Sequence, residues 1–519
     1  MSISMISRRT LLSLGLGVGA AALMRATAYA APGSAQRNPF SLGVASGFPT
    51  ADGMVLWTRL APLPLAPDGG MPATTVPVRW QLAADEGMRN IVQSGVSYAT
   101  PDWAHSVHVE PRGLEPARPY WYRFISGDAE SPIGCTHTAP AEDIELAKLR
   151  LALVSCQHYE HGYYVAYRRL LEDHPDLVVH VGDYIYELSH GEQHVRSHGA
   201  GEAYTLEDYR IRHALYRSDP DLQAAHAACP WLLIWDDHEV DNDYAGDSSE
   251  QDDPPELFRA RRAAAYRAYY EHLPLPRRAV PFGPDMRLFA RRSFGSLANI
   301  YLLDERQYRN PQACPLPGRR GSNRVSDDCA ELLLPTRTML GERQEAWLSA
   351  QLGASKARWN LLAQGVMMSY ADEQPGPGTR FRTDTWNGYP AARERLLQAL
   401  LDSRAANPIV LSGDIHAFAA GDLNLQPAQP DSPVVASEFV TTSITSQPPA
   451  EQAIAAVRDN NPNLRLATGL HRGYTRIDLA PWQLRADLIA MDSVRELRTG
   501  SRVLRSFIVQ AGQPGLQDA

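Results

Sequence analysis

The chain has 519 residues, enough for about two or three domains, and 44% of its residues are hydrophobic against 21% charged. This composition excludes disorder over most of the length. The formal net charge of -9 at pH 7 offers no basic surface for nucleic acid, so we predict no specific nucleic-acid binding.

The first 30 residues have the pattern of an export signal rather than of a folded element. Residues 7–12 read Ser-Arg-Arg-Thr-Leu-Leu, a twin-arginine pattern, and the apolar residues 11–24 lead to an Ala-Tyr-Ala cleavage site at 28–30. The apolar stretch is shorter than the roughly 20 residues that span a bilayer, which predicts no stable membrane span. A chance arginine pair in a general secretory signal is the alternative. We predict a twin-arginine signal peptide over residues 1–30, use of the Tat export machinery, and a periplasmic or secreted location.

Residues 38–140 are predicted to form an all-β domain. Short alternating segments, such as 78–82 and 105–109, are separated by turn residues. Residues 114–124 are typical of the tyrosine-corner strand of a fibronectin-III or immunoglobulin-like sandwich. One alternative for the function of the chain is therefore a non-catalytic cell-surface binding module built on this sandwich.

From residue 148 onward the pattern changes to α/β, and we predict a catalytic domain over residues 148–505. Near-continuous apolar strands alternate with stretches of helical spacing at 164–173, 255–272 and 343–355. Strands of this kind are buried on both faces, which implies a sheet between layers of helices.

Four of these hydrophobic runs end abruptly in side chains that can bind a metal. They are residues 149–156, 177–183, 231–235 and 408–414. Ligands bind at the C-terminal edge of open α/β sheets, so we expect these ends to converge. The candidate ligands and proton donors are Cys156, Asp183, Tyr186, Asp237, His238, Asn242, Asp414 and His416.

The chemistry of the second run favours a hard, highly charged cation. Asp183 and Tyr186 form a carboxylate and phenolate pair suited to Fe3+, which would deprotonate a phenol that otherwise titrates near 10. Of the two tyrosines that follow Asp183, Tyr184 and Tyr186, we prefer Tyr186 as the ligand. Cys156 is the candidate thiolate, and a small buried core residue is its alternative.

The five cysteines also bear on this assignment. An odd number in an exported protein leaves at least one thiol unpaired. Cys314 and Cys329 flank a loop rich in Gly, Arg and Ser, and we predict that they form a disulfide. This pairing is consistent with Cys156 as a free thiolate.

The third and fourth runs supply further carboxylates. The cluster at 236–239 crowds like charges after an apolar strand, which calls for a counter-cation, although a surface acidic cluster is the alternative. His238 within it is either a ligand or a proton donor. Asp414 and His416 lie on the same side of an extended segment, and a core histidine is the alternative for His416.

The chain resembles the PhoD-type alkaline phosphatases of the calcineurin-like metallophosphoesterase superfamily. The matching strings are LGVAS at 42–46, VLWTRL at 55–60, VSCQ at 154–157, GDYIYE at 182–187, WDDHEVDND at 235–243, LDERQYR at 303–309, TWNGY at 385–389 and SGDIH at 412–416. The resemblance implies a four-layer α/β/β/α sandwich behind the N-terminal all-β domain. Two positions depart from the family pattern: Phe48 and Asn387 stand where Asp is usual or frequent.

The resemblance also implies an Fe3+/Ca2+ centre. The Fe3+ ligands would be Cys156, Asp183, Tyr186 and His416. Asp183 would bridge to Ca2+, which Asp237 and Asp414 would complete, with Asn242 as a further candidate. Calcium accepts 6 to 8 oxygen ligands, which suits this set.

The implied reaction is hydrolysis of a small or polymeric phosphate ester by a metal-activated hydroxide. Asp183 and His238 would be catalytic, and His238 would protonate the leaving alkoxide. Phosphodiesterase or phospholipase D-like activity at the same site is the alternative. Candidate donors to the phosphate, each with a structural role as its alternative, are Arg210, Arg212, His158 and Arg306.

Overall fold

The computed structural model describes residues 38–427, 429 and 431–519. The predicted signal peptide lies outside the described residues. Within them, no helix combines the length and the apolar character needed to cross a membrane.

The N-terminal region is built from β-strands, as predicted. In chain order these are β1 (Val44–Thr50), β2 (Gly53–Arg59), β3 (Val76–Ala83), β4 (Ile91–Ala99), β5 (Ser106–Val109), β6 (Pro119–Ser126), β7 (Ala129–Glu130) and β8 (Gly134–His137). Strands β4, β3, β6 and β7 pair in that order, with β8 on β6, and pack over β1, β2 and β5. The hydroxyl of Tyr120 accepts a 3.1 Å hydrogen bond from the Glu115 N–H, which is the contact of a tyrosine corner.

The following strands and helices form the catalytic region. The strands are β9 (Leu149–Val154), β10 (Leu177–Val181), β11 (Trp231–Ile234), β12 (Ala290–Phe294), β13 (Ala298–Leu302), β14 (Arg324–Ser326), β15 (Trp359–Ala363), β16 (Arg380–Arg382), β17 (Pro408–Ser412), β18 (Phe418–Asn424), β19 (Val434–Val440), β20 (Leu464–Thr468), β21 (Gly473–Leu479), β22 (Gln483–Met491), β23 (Ser501–Gln510) and β24 (Gln513–Asp518). The helices are α1 (Val165–Glu172), α2 (Leu206–Arg217), α3 (Pro220–Ala228), α4 (Pro255–His272), α5 (Gly341–Gly353), α6 (Pro390–Ser403) and α7 (Glu451–Asn460).

Two large sheets dominate the part of the chain that the structure describes. One has ten strands in the order β24-β23-β22-β21-β9-β10-β11-β1-β2-β5, and the other has seven in the order β12-β13-β15-β17-β19-β18-β20. Strand β1 joins the first sheet because Gly47 pairs in parallel with Trp231 of β11. The N-terminal sandwich therefore shares a sheet with the catalytic region, which the sequence did not indicate.

Side-chain alternation shows how the layers stack. In β15, Leu361 belongs to a core cluster shared with the other large sheet, whereas Leu362 packs in the cluster that contains α5 and α6. On the ten-stranded sheet, the Trp231 ring lies 5.7 Å from Tyr167 of α1 and 3.8 Å from His226 of α3. Helices thus cover the outer face of each sheet, which confirms the predicted four-layer α/β/β/α class.

Local signals explain several helix boundaries. At the start of α2, the Thr205 side chain accepts from the Asp208 N–H and the Asp208 carboxylate accepts from the Thr205 N–H, a capping box. Helix α4 has the bounds predicted from its periodicity, and it begins at Pro255, where a missing N–H is tolerated. Cys314 and Cys329 are joined by a disulfide, as predicted.

Candidate metal centre

The C-terminal ends of β9, β10, β11 and β17 meet at one place, as the sequence predicted. The Cys156 N–H donates to the Gly182 carbonyl at 3.1 Å, which ties the end of β9 to the end of β10. Potential ligand atoms of Cys156, Asp183 and His416 lie within 4.8 Å of one another. Potential ligand atoms of Asp183, Asp237 and His238 also lie within 4.8 Å of one another. We call the cluster with Cys156 the first group and the cluster with Asp237 the second group, and Asp183 belongs to both.

The backbone at these strand ends is strained. Cys156, Asp183, Asp414 and His416 have φ angles of 57°, 58°, 65° and 52°, in the left-handed region. Each such residue costs roughly 1–3 kcal/mol, a strain typical of functional sites. Gly182 precedes Asp183 at φ 107°, and a Cβ there would lie 2.3 Å from the Asp236 Cβ. The sharp turns direct the ligand side chains toward a common point.

Tyr186 is the centre of the first group. Its hydroxyl oxygen lies 2.7 Å from Asp183 Oδ2, 2.9 Å from His416 Nε2 and 2.8 Å from Ser446 Oγ. His416 Nδ1 lies 2.7 Å from the Gln447 carbonyl, to which it donates, and this leaves the lone pair on Nε2 facing Tyr186. Tyr184 instead contacts His226 on α3, so the structure brings Tyr186 and not Tyr184 to the cluster.

Charge at the first group suits a bound cation. Burial, followed by the nearby Asp183, raises the pKa of the Cys156 thiol and of the Tyr186 phenol well above their ordinary values. Asp183 Oδ1 is buried and has no hydrogen-bond partner within residues 38–427, 429 and 431–519. A cation would satisfy this oxygen and favour the thiolate and phenolate, so the residues present fit an iron ion.

The second group supplies oxygen ligands. Burial, together with the neighbouring acids Asp384, Asp237 and Asp183, raises the pKa of Asp414. Burial would also raise the pKa of Asp237. The positive charges of Arg306 and His238 outweigh burial, and the pKa of Asp237 is lowered. The two carboxylates fit the ligand preference of Ca2+. Asn242 is half-buried five residues after Asp237, and its N–H donates to Glu187 at 2.8 Å.

Arg306 lies behind these carboxylates. It is fully buried, pairs with Asp236, and donates to Asp384 Oδ1 at 2.8 Å. Its Nη2 lies 3.6 Å from Asp237 Oδ1 and has no hydrogen-bond partner. Three acidic groups thus surround one guanidinium, and Arg306 positions the Asp237 loop.

We predict that Arg306→Met destabilises the protein by about 3–5 kcal/mol, because it leaves the buried Asp236 without its cation and leaves Asp384 with only one of its two arginines, Arg309. Urea unfolding followed by circular dichroism measures the loss. Arg291→Met is the control, since Arg291 pairs with the exposed Glu142 and should contribute less than about 1 kcal/mol. Equal losses in the two variants would contradict the role given to Arg306.

His238 is held by a residue that the sequence analysis did not single out. Its Nδ1 lies 2.7 Å from Glu187 Oε2, and its ring centroid lies 4.2 Å from that of Tyr186. Burial alone would lower the pKa of His238, but Glu187, Asp237 and Asp183 outweigh it and raise the pKa well above its ordinary value. In the sequence, Glu187 is the last residue of the string GDYIYE, directly after Tyr186.

The structure separates the predicted phosphate donors. Arg210 does not join the cluster, because its guanidinium pairs with Glu271 at 2.6 Å and donates to the Asp102 carbonyl. Arg212 is buried beneath Tyr186 and donates to the Tyr186 and Gly201 carbonyls. His158 does lie beside the centre, with its ring centroid 4.5 Å from that of Tyr186.

Two more residues support the centre through contacts that the sequence did not indicate. Glu239 accepts from the N–H groups of Asp183, Tyr184 and Asp236, which joins the ends of β10 and β11. Ser446 contacts Tyr186 from the segment after β19. That segment is a polar run after an apolar strand, the same signal that identified the ligands.

The two departures from the family pattern lie in different places. Asn387 is buried, and its side chain accepts from Arg393 at 2.7 Å and donates to the Ser369 carbonyl at 3.2 Å. Phe48 lies in β1 at φ 49°, where the pairing of β1 with β2 shifts register. Asn387 therefore has a hydrogen-bonding role, and the Phe48 side chain is buried in the hydrophobic core.

Comparison with known proteins identifies the family. Residues 151–488 match the PhoD-like phosphatase family, and residues 26–140 match the PhoD-like phosphatase N-terminal domain. Alkaline phosphatase D of Bacillus subtilis (strain 168) is 45% identical over 487 residues, which cover 92% of this chain and 82% of that protein. A solved structure described as PhoD superposes with a TM-score of 0.89 at 44% identity, over 94% of this chain and 93% of that one. The resemblance and the enzyme class predicted from the sequence are confirmed, and the chain belongs to the PhoD-like phosphatase family.

Proposed function

We propose that this phosphatase is an alkaline phosphatase that hydrolyses phosphate esters at an Fe3+/Ca2+ centre. The observation that carries the proposal is the close approach of the Asp183 carboxylate and the His416 imidazole to the Tyr186 hydroxyl, with Cys156 within reach. The Tyr186 hydroxyl has a single proton, and it cannot donate this proton to both the Asp183 carboxylate and His416 Nε2, which are both acceptors. A cation between these atoms accounts for the arrangement.

In this proposal Cys156, Asp183, Tyr186 and His416 hold iron, and Asp183, Asp237 and Asp414 hold calcium, with Asn242 as a further ligand. Bound there, the metals would neutralise the phosphoryl oxygens and lower the pKa of a water nucleophile. The protein keeps the site ready by fixing its anionic groups in place. Glu239 accepts a hydrogen bond from the backbone N–H of Asp183, and Arg306 pairs with the carboxylate of Asp236.

His238 is the proposed general acid. Glu187 occupies its Nδ1, which leaves Nε2–H as the free donor of the ring. A proton from Nε2 would pass to the ester oxygen as that bond breaks. His158 remains the candidate for contacting the substrate, because its Nε2 is buried with no protein partner.

The experiment that tests the function pairs elemental analysis of the purified protein with turnover of a phosphate monoester and a diester. We expect iron and calcium in the protein and faster turnover of the monoester. Cys156→Ser, which keeps the side-chain shape but removes the thiolate, should lose iron and activity together. Activity without either metal contradicts the proposed centre, and faster diester turnover points to the phosphodiesterase alternative.

We predict that the concentrated enzyme is coloured by charge transfer from the phenolate and thiolate to iron. Tyr186→Phe removes the phenolate while it preserves the ring packing, so the visible band should shift and weaken. Tyr184→Phe is the matched control, because Tyr184 contacts His226 instead of the cluster. A colourless preparation with full activity contradicts the iron assignment.

We also predict that a calcium-selective chelator abolishes activity and that added Ca2+ restores it. Asp237 and Asp414 offer hard oxygens, which favour Ca2+ over metals that prefer nitrogen ligands. Activity is measured before chelation, after it, and after readdition of Ca2+ or Zn2+. Recovery with Zn2+ and not with Ca2+ would show that the oxygen-ligand assignment is wrong.

The twin-arginine pattern at residues 8–9 supports export through the Tat route as part of the proposed function. Replacing both arginines with lysine should leave the unprocessed protein inside the cell. Unchanged export of that variant would favour the general secretory route.

A further inference from the structure

A loop closed by a disulfide lies against the segment that carries proposed calcium ligands. Cys314 and Cys329 are joined, and we call the segment from one to the other the disulfide loop. The N–H of Ser322 in this loop donates to Asp243 Oδ2 at 2.9 Å. The disulfide loop is therefore in direct contact with the residue that follows the candidate ligand Asn242.

Hydrogen bonds continue from Asp243 to a proposed calcium ligand. The Asp243 N–H donates to Asp237 Oδ2 at 2.7 Å. Arg319 of the disulfide loop lies 3.7 Å from Asp243 Oδ2, and its guanidinium also pairs with Glu250, further along the same segment. The disulfide loop thus holds the Asp243 carboxylate, while the Asp243 backbone orients one oxygen of Asp237.

A second series of contacts reaches the other oxygen of Asp237. Gln312 precedes the disulfide loop by two residues, and its side-chain amide donates to the Asp243 carbonyl at 2.9 Å and to Asp384 Oδ1 at 2.8 Å. Asp384 pairs with Arg306, whose Nη2 lies 3.6 Å from Asp237 Oδ1. Both oxygens of Asp237 are thus connected to the disulfide loop or to the residues just before it.

The disulfide loop also pairs with the strand that leads to Asp384. Its strand β14 pairs with β16, and the Asn323 N–H donates to Thr383 Oγ1 while the Thr383 N–H donates to the Asn323 carbonyl, both at 3.0 Å. The Asn323 side chain donates to the Cys314 carbonyl at 2.9 Å. The position of the disulfide is therefore passed on to Thr383 and to Asp384 directly after it.

Few apolar side chains hold the disulfide loop in place. They form a small cluster of their own, with Cys314 and Phe381 packed against Ala313, Val325, Cys329 and Leu332. So small a core stabilises its surroundings weakly without a covalent link. A disulfide that closes a loop of this length removes much of the freedom of the open chain. We therefore expect the order of the loop to depend on the disulfide.

We propose that the disulfide loop positions Asp237 for Ca2+, so that opening the Cys314–Cys329 bond weakens Ca2+ binding while iron stays bound. This proposal rests on the Fe3+/Ca2+ centre of the proposed function. The first group of ligands is held instead by contacts with Ser446 and Gln447, which lie outside the disulfide loop. The two metals should therefore respond differently when the disulfide is opened.

Opening the loop should weaken Ca2+ binding without abolishing it. Arg309, which lies outside the disulfide loop, also donates to the Asp243 carbonyl at 3.1 Å and to Asp384 Oδ1 at 2.6 Å. These contacts remain when the disulfide is open. Loss of an outer contact to a metal ligand typically costs roughly 10- to 100-fold in affinity, and we expect a loss at the lower end of this range.

The proposal makes Ca2+ affinity depend on the redox state of the surroundings. Disulfides persist outside the cytoplasm and are rare within it. An exported enzyme would gain its full Ca2+ affinity where its two thiols pass two electrons and two protons to an external disulfide, which becomes two thiols as the Cys314–Cys329 bond forms.

The test is calcium titration of the purified enzyme before and after reduction with a phosphine. The phosphine converts the S–S bond into two thiols and is itself oxidised to its oxide with oxygen from water. Cys314 is half-buried, so the reagent can reach the bond. We expect the dissociation constant for Ca2+ to rise about tenfold on reduction, with the iron content unchanged.

Two variants separate the disulfide from other effects of the reductant. The double variant Cys314→Ser/Cys329→Ser should bind Ca2+ as weakly as the reduced wild type does, and the phosphine should change its affinity no further. A further change would indicate an action on iron or on Cys156. Cys135→Ser, at a half-buried free thiol in β8, is the matched control and should bind Ca2+ as the wild type does.

Hydrogen–deuterium exchange gives a measurement that does not depend on calcium. Opening the disulfide should speed exchange in residues 237–250 and leave β10 unchanged, whereas a general loss of stability would speed both. Unchanged exchange in residues 237–250, or equal Ca2+ affinity in the oxidised and reduced enzyme, overturns the proposal. A wild type that binds no Ca2+ in either state overturns the calcium centre of the proposed function, and this proposal with it.

Discussion

Asp183→Ala should cause the largest loss of phosphatase activity of any single substitution at the proposed centre. Asp183 belongs to both ligand groups, and its Oδ1 has no hydrogen-bond partner among the residues that the structure describes. Removing it takes away the proposed bridge and leaves two cations facing each other. The loss should exceed the roughly 10² to 10⁴-fold that removal of a general acid causes. Steady-state kinetics with one monoester substrate, alongside metal analysis, measure it.

Asp422→Asn provides the control for this comparison. Asp422 is a partly buried carboxylate of β18 that accepts from the Leu516 N–H at 2.8 Å, outside both ligand groups. Its replacement should leave kcat and the metal content unchanged. If His238→Ala lowers kcat more than Asp183→Ala does, the bridging role is misassigned.

The convergence of the candidate ligands could be predicted from sequence because each follows an apolar run that must be a buried strand. Parallel strands place their C-terminal ends at one edge, so the sequence predicts that Cys156, Asp183 and Asp414 converge. Alternation along an extended segment could not separate Tyr186 from Tyr184, because residues two apart share a face, and it is the contact of Tyr184 with His226 that distinguishes them. The left-handed backbone at these positions was not predicted, since it results from packing between strand ends.

The supporting residues could not be predicted in the same way. Arg210 pairs with Glu271 and Arg306 pairs with Asp236 across long separations in the chain, and no local pattern encodes such partners. Both arginines looked equally suited to bind phosphate. The sheet that the N-terminal sandwich shares with the catalytic region could not be predicted for a similar reason. Only a short parallel pairing of Gly47 with Trp231 joins β1 to β11.

His238→Ala should lower activity in a way that depends on the leaving group of the substrate. The proposed acid protonates the departing oxygen, so an alkyl phosphate, whose alkoxide leaves poorly, should lose roughly 10² to 10⁴-fold in kcat. p-Nitrophenyl phosphate should lose much less, since its anion departs with little protonation. Glu187→Gln keeps the size of the side chain that holds His238 Nδ1 but removes its charge. It should give a smaller loss with the same dependence on the leaving group.

A plot of log kcat against leaving-group pKa for the wild type and His238→Ala is therefore the measurement, with iron and calcium determined in each preparation. The variant should show a steeper dependence, because without the acid the full charge develops on the leaving oxygen. Metal contents must match the wild type for this reading to hold, since His238 adjoins the proposed ligand Asp237 in sequence. Equal slopes for the wild type and His238→Ala, with unchanged metal contents, would show that His238 does not donate the proton. Its contact with Glu187 would then serve only to position the loop that carries Asp237.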